Sequence, residues 1–249
     1  MESTEVPRKT QKGLLASHMA AHMNAGELTA FLFAGQQHRL QAQVGAWLAE
    51  SARFCAFVEA QRDKIRKKAR MAGDEEARRD LLVELGTAHR LLREKRFTLA
   101  YEPFAANKTR GPDYGVTYTT KFSFTVEATR LRAACDFARW ADVLCTKLMQ
   151  LPAGQPNVVL VATADRQCAD FDLAQTLAAL RALAERKDDA FFAQRGWHAA
   201  RDFLRQLRRL SAVLWWNGWD ATNGGIWHLW LNVQAKHPLP NEARAALSR

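Results

Sequence analysis

"RGPDYGVTYTTKFSFTVEATRLR", residues 110–132, decides how this chain is read. Two runs rich in β-branched and aromatic residues, 113–118 and 122–129, flank a short turn at 119–121, which is the pattern of a β-hairpin. Pro112 and Asp113 open the first strand, and Glu127 stands near the end of the second. In that second strand Phe124 and Val126 alternate with Ser123 and Thr125, so Glu127 falls on the polar face. Two carboxylates on a hairpin have two readings. They are solvated residues of an edge strand with one wet face, or they converge on a divalent cation.

Outward from the hairpin, "FTLAYEPF" (97–104) reads as a preceding strand. Before it, 74–96 carries Leu81, Leu82, Leu85, Leu91 and Leu92 on an apolar helical face, with Asp74 as N-cap and Glu75 and Glu76 at the positive end of the helix dipole. After the hairpin, "RLRAACDFARWADVLCTKLMQL" (130–151) is helical and closes at Pro152 and Gly154. "NVVLVAT" (157–163) is a continuous apolar run, the mark of a buried parallel strand reached by a crossover.

Residues 25–70 are helical in character without a proline, and end in the basic run "RDKIRKKARMAG". That run reads as a solvated helix face or as a phosphate-tracking patch. Beyond 163 come helices over 171–187 and 197–210, strands "LSAVLWW" and "IWHLWLNV" around a Gly/Asn-rich loop, and a short terminal helix. The five tryptophans of that strand pair (Trp215, Trp216, Trp219, Trp227, Trp230) suit a core or an interface, with base stacking as the alternative. His228 and His237 lack metal-ligand spacing.

The chain has 249 residues, 48% of them hydrophobic and 25% charged, which excludes disordered and fibrous classes. No apolar run reaches the ~18 residues of a membrane span, and no secretory signal is expected at the amino terminus. Cys55, Cys135, Cys145 and Cys168 show no C-x-x-C spacing, so free thiols in a reducing cytoplasm are the expectation. Thirty-six Lys and Arg against 26 Asp and Glu leave a net charge of +10, which favours polyanionic partners.

The order helix, three strands, helix, strand, with Glu84 on the first helix, Pro112-Asp113 at the second strand, Glu127-Ala128-Thr129 on the third and Lys147 and Gln150 on the next helix, resembles the core of the PD-(D/E)XK nuclease superfamily. The resemblance covers 74–163. It implies an α/β protein with a restriction-endonuclease-like α-β-β-β-α-β core, its mixed central sheet flanked by helices. An N-terminal helical segment (1–73) and a C-terminal α+β extension (164–249) would pack on that core.

By the same resemblance Asp113 and Glu127 would bind Mg²⁺ or Mn²⁺, with the Ala128 carbonyl as a third ligand and Glu84 acting through a water or a second metal. The family places a lysine two residues after the glutamate, where this chain has Thr129. Lys147 is the first substitute, with Gln150 one turn later, and Lys121 and Lys108 are weaker ones. The implied function is metal-dependent phosphodiester hydrolysis of nucleic acid, DNA rather than RNA. Lys64, Arg66, Lys67, Lys68 and Arg70, with Lys108 and Arg110, would contact the phosphate backbone. The alternatives are a catalytically silent nucleic-acid-binding or scaffold protein that keeps the fold, and a protein-interaction module whose long N-terminal helix forms a homodimer. No membrane partner is expected.

Overall fold

Six strands pair side by side in the order in which the chain makes them: β1 (Phe97–Tyr101), β2 (Tyr114–Tyr118), β3 (Phe122–Arg130), β4 (Asn157–Thr163), β5 (Leu210–Asn217) and β6 (Ile226–Leu231). β1, β2 and β3 form an antiparallel meander. β4 and β5 then run parallel to β3, and β6 turns back antiparallel. This computed structural model describes residues 22–34, 40–104, 111–132, 135–164, 168, 171–220 and 224–248.

Helices cover both faces of the sheet. On one lie α1 (Ala25–Phe33), α2 (Leu40–Glu50), α3 (Ala52–Ala60), α4 (Arg62–Met71), α5 (Glu75–Leu91) and α10 (Asn241–Leu247). On the other lie α6 (Phe137–Leu148), α7 (Leu173–Glu185), α8 (Asp189–Ala193) and α9 (Ala200–Leu207). The protein is thus α/β, with a mixed sheet between two helical layers. All seven residues of β4 are buried, as expected for a strand covered on both sides. Alternation in the neighbouring strands sorts side chains between the two cores, so that Trp216 packs with α5 and Trp215 with α6.

Local chemistry explains the element starts. Asp74, Asp136 and Asp172 each cap a helix by accepting a backbone N–H from the third residue on, at 2.7, 2.9 and 2.9 Å. Glu75 and Glu76 at the start of α5 and Arg90 at its end suit the helix dipole.

Three expectations need correction. The helical stretch 25–70 is four helices rather than one long rod: the Ser51 hydroxyl caps α3 by accepting from Phe54 N–H at 3.2 Å, and the chain turns again at Gln61. Arg53 ties this segment to the sheet by donating to the carbonyls of Leu92, Glu94 and Phe97 at the entrance to β1. Cys135 and Cys168 form a disulfide between the start of α6 and the segment after β4, while Cys55 and Cys145 are free. Finally, β3 is an interior strand, hydrogen-bonded on both sides, so Glu127 does not sit on a wet edge.

Candidate functional site

The antiparallel register carries the site. Tyr114 stands opposite Val126, so the next pair along the ladder is Asp113 and Glu127. Tyr101 stands opposite Tyr114 in the same way, which places Glu102 across from Asp113, and the Glu102 N–H donates to the Asp113 carbonyl at 2.7 Å. Glu102, Asp113 and Glu127 therefore form a row across three strands, at the level where β1 and β2 stop and β3 continues.

Glu127 is 3% exposed. Its Oε1 accepts from Lys147 Nζ, which reaches over from α6, at 2.5 Å. Its Oε2 is buried and has no hydrogen-bond partner among the described residues. A buried acceptor without a donor costs free energy of the order of a lost hydrogen bond, so such an atom in an otherwise bonded network asks for an explanation. Asp113 Oδ2 accepts the Ala128 N–H at 2.8 Å. Burial holds the Asp113 carboxyl well above the usual carboxylate range, and the nearby charges of Glu127 and Glu84 push it the same way. The Ala128 N–H and Lys147 oppose that shift without cancelling it.

Glu84, on α5, closes the cluster from the other side. Its Oε1 receives Lys68 Nζ at 2.5 Å and the Tyr101 hydroxyl, while its backbone carbonyl accepts the Tyr114 hydroxyl at 2.8 Å. Lys68 also reaches Glu102 Oε1 at 2.7 Å. Burial opposes the charge on Lys68, but Glu84 and Glu102 outweigh it and hold the ammonium above the usual lysine range. Burial and then Glu84 push the Tyr101 phenol far upward, which keeps it a proton donor. Glu102 takes a left-handed backbone (φ 47°), uncommon for a residue with a side chain.

The residues singled out by sequence divide as follows. Asp113, Glu127, Glu84 and Lys147 come together. Thr129 lies two residues past Glu127 on the same face of β3, paired with Val161, and supplies no charge. Gln150 falls beyond the end of α6, in a turn where its N–H donates to the Lys147 carbonyl, so it does not continue the helix face. Lys121 sits at the hairpin turn, the far end of β2 from Asp113. Lys108 and Arg110 lie outside the described residues. On α4, Arg66 stacks over the Phe31 ring (4.3 Å), the exposed Arg62 lies over the same ring and Lys68 belongs to the carboxylate cluster, leaving Lys64, Lys67 and Arg70 as the other exposed cations. Tyr101, Tyr114 and Glu102 were not anticipated. Counting back from the hairpin turn fixes the Asp113–Glu127 pair, but Glu102 is set by the β1–β2 register, which that turn does not determine.

No protein-family model matches the chain, and neither does any curated protein or solved structure.

Among the described residues no three His, Cys, Asp or Glu side chains are grouped as a ready-made cation cage. A two-carboxylate site is different. Glu127 Oε2 and the neighbouring Asp113 carboxyl are hard-oxygen donors of the kind that a small divalent cation retaining several waters takes.

Proposed function

We propose that this chain is a metal-dependent phosphodiesterase with a restriction-endonuclease-like fold, acting on nucleic acid and on DNA in particular. One observation carries the reading: Lys147 arrives from α6 onto Glu127, directly beside Asp113, and so supplies the charge that Thr129 lacks. The succession α5-β1-β2-β3-α6-β4, with its antiparallel meander and parallel return, supports the fold assignment.

Asp113, Glu127 and the Ala128 carbonyl would hold Mg²⁺ or Mn²⁺. Bound there, the ion would supply Lewis-acid polarisation of the phosphodiester and an acidified water. The chain's own groups do the rest. The Ala128 N–H fixes the orientation of the Asp113 carboxyl. Lys147, anchored on Glu127, offers a fixed ammonium to the charge that develops on the phosphate oxygens. Tyr101 and Lys68 lock Glu84 in place, where it can order a water on the opposite side.

The test is cleavage of plasmid and short linear DNA with Mg²⁺, Mn²⁺ or EDTA by the parent, Asp113→Ala and Glu127→Ala. Metal-dependent cutting that both substitutions abolish supports the enzyme. A second reading, a nuclease fold kept for nucleic-acid binding without chemistry, draws on the same contacts, because Lys147 and Lys68 already neutralise acidic oxygens a cation would use. It predicts salt-sensitive DNA binding and no cutting by any version.

A further inference from the structure

We infer that the nucleic-acid docking surface of this protein is a basic groove on α9, at the entry of β4 and β5, rather than the basic run of α4 that stands out in the sequence. This inference rests on the nucleic-acid reading above and deepens it. The groove has a volume of about 580 Å³ and is lined by Arg201, Arg205, Arg208, Arg209, Lys236 and His237, around a floor of Ala153, Gly154 and Leu204. Among the described residues no carboxylate lines it.

The arrangement follows from helix geometry. Ala200, Phe203 and Leu207 bury one side of α9 in the core it shares with α6. Arg201, Arg205 and Arg208, spaced by four and three residues, therefore stand in a row on the outer side, all exposed. Lys236 is brought beside them because its N–H donates to the Arg208 carbonyl at 2.7 Å. Arg209 is braced from below by donating to the Leu151 carbonyl. Only Arg205 has an acidic partner on the helix, Asp202 at 2.9 Å; among the described residues the side chains of Arg201, Arg208 and Lys236 make no ion pair.

Guanidinium groups in a row on one helix and its C-cap, with a single one of the three paired to a carboxylate, are suited to successive phosphates rather than to a single small anion. The comparison with α4 sharpens the choice. There Arg66 and Arg62 lie over Phe31, and Lys68 is held between Glu84 and Glu102. The groove also belongs to the same helical layer as α6, the element that delivers Lys147, so a strand lying in it runs along the layer that forms one wall of the candidate site. The extra helices of the C-terminal segment thereby become the grip on the polymer.

The experiment is binding of a short DNA duplex of mixed sequence, in EDTA to keep cleavage out, over a series of salt concentrations. The parent is compared with R201Q/R205Q/R208Q and with K64Q/K67Q/R70Q. Each phosphate contact removed lowers the log–log salt slope by about 0.9, so the α9 triple should lose roughly two to three units of slope and bind at least tenfold more weakly at moderate salt. Near-UV circular dichroism of the triple must match the parent. An unchanged slope in the α9 triple, or a larger loss in the α4 triple, would overturn the inference. So would binding of phosphatidylserine vesicles without binding of DNA, which would make the groove a membrane contact. Loss of DNA binding in the α9 triple combined with no cleavage by the parent in Mg²⁺ would leave the groove standing and remove the phosphodiesterase reading. Cleavage with an unaltered slope would do the reverse.

Discussion

Lys147 and Glu127 are 20 residues apart in the chain, yet their side chains meet at 2.5 Å, one from a helix and one from the strand that the helix crosses. The contact sits next to Asp113, whose carboxyl is pushed toward its neutral form. One ammonium therefore faces two acids, and the balance among the three sets both chemistry and stability.

Replacing Lys147 tests the chemistry. Lys147→Ala should lower metal-dependent cleavage by about 10²–10³-fold, the usual cost of losing a fixed electrostatic contact to a transition state. Lys147→Arg should restore part of the rate, since it keeps the charge with altered geometry. Single-turnover cleavage of a labelled duplex reads both, and an undiminished rate in Lys147→Ala would take the residue out of the mechanism.

Asp113 makes stability depend on pH in a defined direction. An acid whose folded-state value lies above its ordinary 3.8 holds more protons folded than unfolded across that interval. Stability in metal-free buffer therefore falls as pH rises from near 3.8 up to the raised value. Asp113→Asn should abolish this loss, so that the variant melts with the parent in acid and above it at neutral pH. Added Mg²⁺ should raise the Tm of the parent and leave Asp113→Asn unmoved. Melting curves in EDTA and in Mg²⁺ across pH decide it, and a pH-independent difference would show that Asp113 is not the group concerned.

Gly86 on α5 leaves room for two indoles. A Cβ at this position would lie 2.8 Å from Trp216 Cη2 and 2.9 Å from Trp47 Cη2, both parts of rigid rings in the core. Alanine is the better helix former by about 1 kcal/mol. The clash should reverse that gain, and Gly86→Ala is expected to destabilise the protein by about 1–3 kcal/mol in urea melts. A variant more stable than the parent would mean that the rings shift freely.

The cysteines give a chemical count. With Cys135 joined to Cys168, protein denatured without reductant should show two titratable thiols per chain, from Cys55 and Cys145, and four after reduction. Four thiols before reduction would return all the cysteines to the free state.

The sequence carried the meander and the parallel return because each rests on a local signal: alternation and a turn for β2 and β3, an unbroken apolar run for β4. The cap at Asp74 was equally local, whereas Asp136 was read inside a helix beginning at residue 130 and instead caps one that begins at Phe137. What stayed hidden depends on packing. Nothing in "RDKIRKKARMAG" distinguishes Lys68 from Lys67; only the docking of α4 against α5 and β1 buries one between two glutamates and leaves the other in solvent. The breaks at Ser51 and Gln61 were concealed because neither is a glycine or a proline, and a serine in a helical stretch is read as surface until its cap is seen. Gln150 was placed one helical turn too far, past a helix that ends at Leu148.

The unbroken burial of β4 has a consequence for the chain's solution behaviour. β4 gives all its backbone pairing to β3 on one side and β5 on the other, and the Trp215 indole nitrogen donates to Thr163 at its tip. Were the polypeptide cut after residue 164, "NVVLVAT" would become an open sheet margin with unpaired amides and no charge to discourage a neighbour. Such a margin recruits other strands, and a shortened protein carrying every acid of the candidate site would be drawn into aggregates. The later segment therefore guards the sheet against association, and excising residues 74–164 by themselves would yield inclusion bodies.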